Sequence, residues 1–218
     1  MGWGKTLQVI AFVMIERPRL PELVETPSAL TYNWLHEIQR FAPEARAKIV
    51  DGTQPERAES LQDIIDYDFI ITSYPLLRRD LPIYSGLRFS FCFIDEAQHI
   101  KNPKTMNAKS VKKIKAERYF ALTGTPVENS LTELWSIFDF VMKGYLYSHR
   151  EFTERFERPV VREDDQNALR QLRRRIKPFI LRRMKKDVLS ELPDKIENTV
   201  YADFVPEQKR LYEAYMAA

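Results

Sequence analysis

The chain has 218 residues, with 34 Lys and Arg against 31 Asp and Glu and a formal net charge of +3. A single cysteine excludes an internal disulfide, and with only three scattered histidines it argues against a cysteine-histidine metal site. The composition is that of an ordinary soluble globular protein; no apolar run is long enough to span a bilayer and no signal-peptide pattern opens the chain.

Gly2-Trp3-Gly4-Lys5-Thr6 comes first and matches the end of a phosphate-binding loop. Glycines let backbone N–H groups close around phosphate oxygens, a lysine reaches the terminal phosphates, and a threonine hydroxyl can ligate Mg²⁺. Leu7, Ile10, Ala11 and Met14 follow at helical spacing, so the loop opens a helix. Taken alone, so short a match is equally compatible with an ordinary turn. Arg17 to Pro21 is a loop, and Leu23 to Ser28 a short strand and turn. A helix from Leu30 carries Trp34, Leu35, Ile38 and Phe41 on its apolar face. Lys48-Ile49-Val50 predicts a strand ended by the turn pair Asp51-Gly52. Pro55 to Ile65 predicts a helix, and Phe69 to Tyr74 a strand closed by Pro75.

The next strand carries the strongest chemical signal. Phe89, Phe91 and Phe93 fall on one face, and Ser90, Cys92 and Ile94 on the other, as in a central buried strand. It ends in Asp95-Glu96. Acids at such a strand end stand in the crevice where open parallel sheets bind ligands. One can hold Mg²⁺ and the next can position or deprotonate a water. An acidic first turn of a helix is the plainer alternative for an isolated pair.

A lysine-rich helix is expected over Met106 to Lys115, and a strand over Arg118 to Leu122 that delivers Thr123-Gly124-Thr125-Pro126. Leu131, Leu134, Trp135 and Phe138 form a core-facing helical stripe. Strands thus alternate with helices to about Val141, which predicts an α/β domain with a largely parallel sheet. Beyond Gly144, helices are expected over His149 to Phe156 and Asn167 to Ile176, an extended segment over Pro178 to Arg183, a strand over Glu197 to Phe204 and a helix from Pro206.

Three signals stand in order: Gly-Lys-Thr opening a helix, Asp95-Glu96-Ala97-Gln98 at one strand end, and Thr123-Gly124-Thr125-Pro126 at another. A phosphate loop and a magnesium acid on one sheet is what nucleotide hydrolysis requires. The set resembles the superfamily two helicase ATPases. Pro27-Ser28-Ala29-Leu30 with Asn33-Trp34 and Glu37 is similar to a second motif of that superfamily. The run Leu122 to Asn129, with Leu131, Glu133-Leu134-Trp135 and Phe138, resembles the Swi/Snf family of DNA translocases. So do Pro178 to Arg183, Lys185, Asp187-Val188, Leu192-Pro193 and Lys195, and the likeness runs through essentially the whole chain.

The resemblance implies a RecA-like P-loop lobe over residues 1–144, with a mainly parallel sheet flanked by helices. A helical, basic extension would follow over 145–196, and the start of a connection to a second lobe over 197–218. It implies ATP and Mg²⁺ as cofactors, duplex DNA as partner, and ATP-driven movement along DNA or remodelling of DNA-protein complexes. By motif position, Gly2, Gly4, Lys5 and Thr6 would hold ATP, with Thr6 and Asp95 at Mg²⁺ and Glu96 activating water. Gln98 and the turn Thr123, Gly124 and Thr125 would link nucleotide to DNA, with Pro27, Ser28, Trp34 and Asn129 near the DNA groove. Trp3 stands where the family usually has leucine, and Glu25 where its strand is usually small or apolar. The chain is expected to be a piece that starts inside the phosphate loop and stops before a second lobe, and to turn over ATP very poorly alone. A strand-separating helicase and a non-catalytic DNA- or protein-binding module are the alternatives. The short linkers favour a bacterial cytoplasmic protein at the nucleoid; in a eukaryote it would be nuclear.

Other features have plainer readings. The acid-free basic run from Arg170 to Lys186 fits DNA phosphates, a solvated face or a docking surface for the second lobe. Cys92 reads as a buried strand residue, the histidines as structural or exposed, Tyr145 and Tyr147 as packing, and Asp164-Asp165 as a solvated loop.

Overall fold

The structure, a computed structural model, describes residues 4–124, 130–182 and 204–216. They divide into two compact units, Met1–Arg174 and Arg175–Ala218. The first is built on five strands: β1 (Glu22–Thr26), β2 (Ala47–Ile49), β3 (Phe69–Ser73), β4 (Phe89–Ile94) and β5 (Ala116–Ala121). All neighbours pair in parallel, in the order β2-β3-β1-β4-β5. The alternating pattern therefore becomes a parallel sheet, with β1 at its centre.

Helices cover both faces because β1, β3 and β4 are buried along their whole length. On one face lie α1 (Lys5–Glu16) and α2 (Thr31–Phe41), where Val9, Ile10, Val13, Trp34 and Ile38 meet Val24, Ile71, Phe91 and Phe93. Phe12 of α1 sits among Phe91, Phe93 and Phe120, with ring centroids 5.2, 6.5 and 5.3 Å away. This aromatic cluster fixes the helix whose first residue is Lys5. Chain order next gives α3 (Gln54–Ser60), α4 (Tyr74–Arg79), α5 (Leu81–Tyr84), α6 (Met106–Val111) and α7 (Leu131–Val141). From these, Tyr74, Leu77, Tyr84, Val111, Ile137 and Phe140 pack on Leu23, Ile70, Cys92 and Ile94. Cys92 is fully buried, and burial pushes its thiol well above the usual range.

Several local expectations change. Phe89 joins the Cys92 side, so the two-face alternation holds only from Phe91 to Ile94. Pro75 starts α4 instead of only ending β3, as its missing N–H and fixed φ allow in a first turn. The lysine-rich helix stops at Val111, four residues short of the expected end. The turn pair Asp51-Gly52 is tied down, since the buried Arg57 donates to Gly52 O at 2.6 Å. The same guanidinium grips Asp80 through two bonds, at 2.5 and 2.8 Å. Gly52 has a φ of +87° and its neighbour Glu56 completes a capping box with Thr53.

Beyond the sheet, α8 (His149–Phe152), a π-helical turn over Thr153–Glu157, α9 (Arg158–Arg162) and α10 (Gln166–Ile176) follow. Phe152, Phe156, Ala168 and Leu172 are their buried residues. Asp165 accepts from the Asn167 and Ala168 amides and so caps α10. In the second unit, a 3-10 turn over Lys177–Phe179 leads to an extended Ile180. The final helix, α11, spans Pro206–Met216 as expected. The expected strand from Glu197 lies outside the described residues, apart from Phe204, as do Arg183 to Lys195 of the basic and family-like segments. No helix among the described residues is long and apolar enough to cross a membrane.

β1 carries two buried acids. Burial pushes Glu22 from its ordinary 4.5 up to about 8; the Phe91 amide offsets part of this, while Glu117 and Asp68 add to it. A carboxyl whose pKa rises on folding contributes its stability fully below its unfolded pKa and loses it as the pH climbs through the folded value. The protein is therefore predicted to lose thermal stability as pH rises from about 4.5 to about 8. Glu22→Gln should match the wild-type melting temperature near pH 5 and exceed it above pH 8, read by circular dichroism. Equal melting temperatures at both ends would contradict the assignment.

Candidate active site

The site is assembled at the carboxyl ends of the strands, where a parallel sheet exposes its ligand-binding edge. Three strands hold the acidic turn. The Asp95 amide donates to Glu25 O of β1 at 2.7 Å, the Leu122 amide to Ile94 O at 2.8 Å, and the Ala97 amide to Leu122 O at 2.9 Å. Asp95 is 6 % exposed. Its carboxylate accepts the Trp34 indole N–H at Oδ2, 3.0 Å, and the Glu96 amide at Oδ1, 2.9 Å. The Tyr74 hydroxyl donates to its carbonyl at 2.8 Å, and the Tyr74 ring stacks on His99. Asp95 is thus held through both its backbone and its side chain.

Glu96 occupies the left-handed region, with a φ of +50°. For a residue with a Cβ this costs about 1–2 kcal/mol. The conformation turns the chain out of β4 into a 3-10 turn over Ala97–Ile100, which Ser136 of α7 ties down by donating to Ile100 O at 2.6 Å. Lys5 approaches from the start of α1, with Nζ 3.4 Å from Glu96 Oε1 and 3.8 Å from Asp95 Oδ1. Gly4 just before it has a φ of +85°, which suits glycine better than any residue with a side chain. A relay runs on from Glu96: Gln98 Nε2 donates to Glu96 Oε2 at 2.7 Å, and the Thr123 hydroxyl donates to Gln98 Oε1 at 3.1 Å.

The structure therefore joins Lys5, Asp95, Glu96, Gln98, Thr123 and Trp34 into one connected site. Thr6 follows Lys5 in the first turn of α1 and is half-buried. Pro27 caps a short 3-10 turn over Ser28–Leu30 at the end of β1, with Ser28 exposed there. Gly124 follows Thr123 with open space around its Cα. Gly2, Trp3, Thr125 and Asn129 lie outside the described residues. Trp34 is 1 % exposed, so its link to the site is the Asp95 bond and not its surface. Two contributors were not anticipated. Tyr74 stands at the end of β3, a signal of position that was available in the sequence; burial, with Glu25 and Asp95 nearby, pushes its phenol well up. Glu25 supplies the carbonyl under Asp95, while its own fully buried carboxyl has no hydrogen-bond partner and is pushed well up by burial.

The model of the SNF2-related domain family matches residues 1–218. The chain belongs to this family. SNF2-related relatives include an "Uncharacterized ATP-dependent helicase" of Mycoplasma pneumoniae, 40% identical over 98% of this chain and 21% of that protein. The "Putative ATP-dependent helicase/translocase YwqA" of Bacillus subtilis is 38% identical over 98% of this chain and 24% of its own length. TATA-binding protein-associated factor MOT1 of Saccharomyces cerevisiae is 36% identical over 97% and 13%. This chain thus spans about a quarter or less of these relatives. The Sulfolobus solfataricus SWI2/SNF2 ATPase core solved in complex with dsDNA aligns with a TM-score of 0.78 at 40% identity, covering all of this chain and 46% of that one. The fold is accordingly RecA-like, matching part of the SWI2/SNF2 ATPase core.

The Trp34 bond has a measurable consequence. Trp34→Phe keeps the ring in the core but leaves a buried carboxylate oxygen without its donor, a loss of about 1–3 kcal/mol. Urea unfolding at neutral pH should show a lower midpoint with an unchanged slope; a midpoint equal to wild type would contradict the buried bond.

Proposed function

We propose that this chain is the first ATPase lobe of a SNF2-type translocase that hydrolyses ATP to move on duplex DNA. The observation that carries the proposal is Lys5 Nζ within 3.8 Å of both Asp95 and Glu96, residues some ninety positions away that meet at the ligand-binding edge of the sheet. An ammonium and two carboxylates at that edge suit a triphosphate and its metal. The names of the bacterial relatives and the DNA-bound state of the SWI2/SNF2 core support the same reading.

In this reading, Gly2, Gly4 and Lys5 bind phosphate through backbone N–H groups and the ammonium. Thr6 and Asp95 offer the hard oxygen donors that fit Mg²⁺, and Asp95 is already oriented by Trp34 and Glu96. The metal would supply charge neutralisation at the phosphates. Glu96 Oε2 takes the Gln98 amide, which leaves this carboxylate aimed and able to accept a proton from water. Gln98 and Thr123 carry the state of that carboxylate toward Gly124, and Thr125 and Asn129 would pass it on to DNA. Ser28 and Pro27, beyond the end of β1, would meet the DNA backbone. Residues 1–144 form the lobe in this proposal, 145–196 its basic extension and 197–218 the approach to a second lobe. DNA-bound proteins are further partners, as the name of the MOT1 relative suggests.

The test is ATP turnover with and without duplex DNA, on this chain and on a longer form that includes a second lobe. The longer form should turn over ATP, rise with duplex DNA and lose about 10²–10⁴ of its rate with Glu96→Gln, the factor a general base contributes. This chain alone should be nearly silent. A longer form that binds DNA yet hydrolyses nothing would favour a binding module. One that separates strands would favour a helicase.

A further inference from the structure

On the sheet face away from Lys5, α6, the start of α5 and the end of α7 line an open concavity of about 390 Å³. Its apolar part is Leu81 and Met106, and Met106 is 56 % exposed. Lys109, Lys112 and Lys113 enter from the end of α6 and the turn after it, and Lys143 from beyond α7. The one acid in the lining, Asp139, is already taken: Lys112 Nζ sits 2.7 Å from its Oδ2 and 5.1 Å from the Trp135 ring centroid. Lys109, Lys113 and Lys143 have no carboxylate within ion-pair distance among the described residues. Ser110, also in the lining, has a buried hydroxyl with no partner.

A lysine run on a helix is ordinarily a solvated face. Here the lysines come from two separate elements and surround a concave surface whose floor is a leucine and an exposed methionine. Three unpaired cations of one sign concentrate an anion in such a concavity. The lysines suit a carboxylate or a phosphate alike, but the apolar floor argues against a phosphodiester backbone, which has no apolar side chain to lay on a leucine and a methionine. Methionine at an exposed apolar patch adapts to varied side chains. We propose that this cavity binds an acidic peptide segment of a protein partner, with one apolar side chain on Leu81 and Met106 and flanking carboxylates at Lys109, Lys113 and Lys143.

The test uses this chain and four fluorescent eight-residue peptides, each with four Asp or Glu around a single Leu, Ile, Met or Phe, read by polarisation. At least one should bind, weaken with added salt, and weaken about tenfold when its apolar residue becomes Gly. The triple substitution Lys109→Ala, Lys113→Ala and Lys143→Ala should weaken it by about tenfold or more, the factor that about 1.4 kcal/mol of lost attraction produces. Met106→Ala should do so at unchanged net charge. The four substituted side chains, Met106, Lys109, Lys113 and Lys143, are all exposed, and an unchanged melting temperature checks the fold. No binding by any peptide, or equal binding by the triple variant, overturns the proposal. So does a duplex oligonucleotide that displaces the peptide and whose own binding falls in the triple variant, which would make the cavity a phosphate surface.

Discussion

The site depends on how firmly Asp95 is held. Its amide belongs to the sheet, its carbonyl to Tyr74, and its carboxylate to Trp34 and the Glu96 amide. Those partners come from β1, from the first residue of α4 and from α2, so Asp95 as a whole reports the relative placement of elements on both faces of the sheet. Lys5 then has a fixed partner to meet, and the Phe12 cluster delivers α1 to it. Orientation set before a ligand arrives is the condition for charge stabilisation without reorganisation.

The central strand is costly to the fold at both its ends. β1, the central strand, carries Glu22 and Glu25 fully buried, and Glu25 has no partner. Glu96 holds a left-handed backbone at the turn. Acids buried without an ion-pair partner and a strained turn both reduce stability; Glu25 and Glu96 lie at the site end of the sheet, where such departures tend to gather. The large aromatic cluster and the long buried strands beside them supply the compensating apolar burial.

Much of this was legible in the sequence because it is written in local patterns. The Gly4-Lys5-Thr6 turn into α1, the run from Phe91 to Ile94 ending in acids, and the alternation of strands and helices all depend on neighbouring residues. What was not legible depends on strand order. β1 lies between β3 and β4, and only that placement brings Trp34 and Tyr74 to Asp95 and buries Glu25. A hydrogen bond between residues 61 positions apart leaves no periodic trace. Short elements escaped for a different reason: α5 has four residues, too few for a helical repeat to show. The α6 helix was read too long because its lysines continue past Val111 into a turn that periodicity does not mark.

The acidic turn is built into the sheet before any nucleotide or metal binds. Hydrogen exchange of the Asp95 and Ala97 amides in the ligand-free chain tests it most directly. Amides locked in the ladder open only with the global unfolding of their core, whereas loop amides exchange through small local openings. The Asp95 and Ala97 amides are expected to exchange as slowly as those of Cys92 and Phe93 in β4. Exchange at the rate of the exposed loops, with β4 still protected, would contradict it.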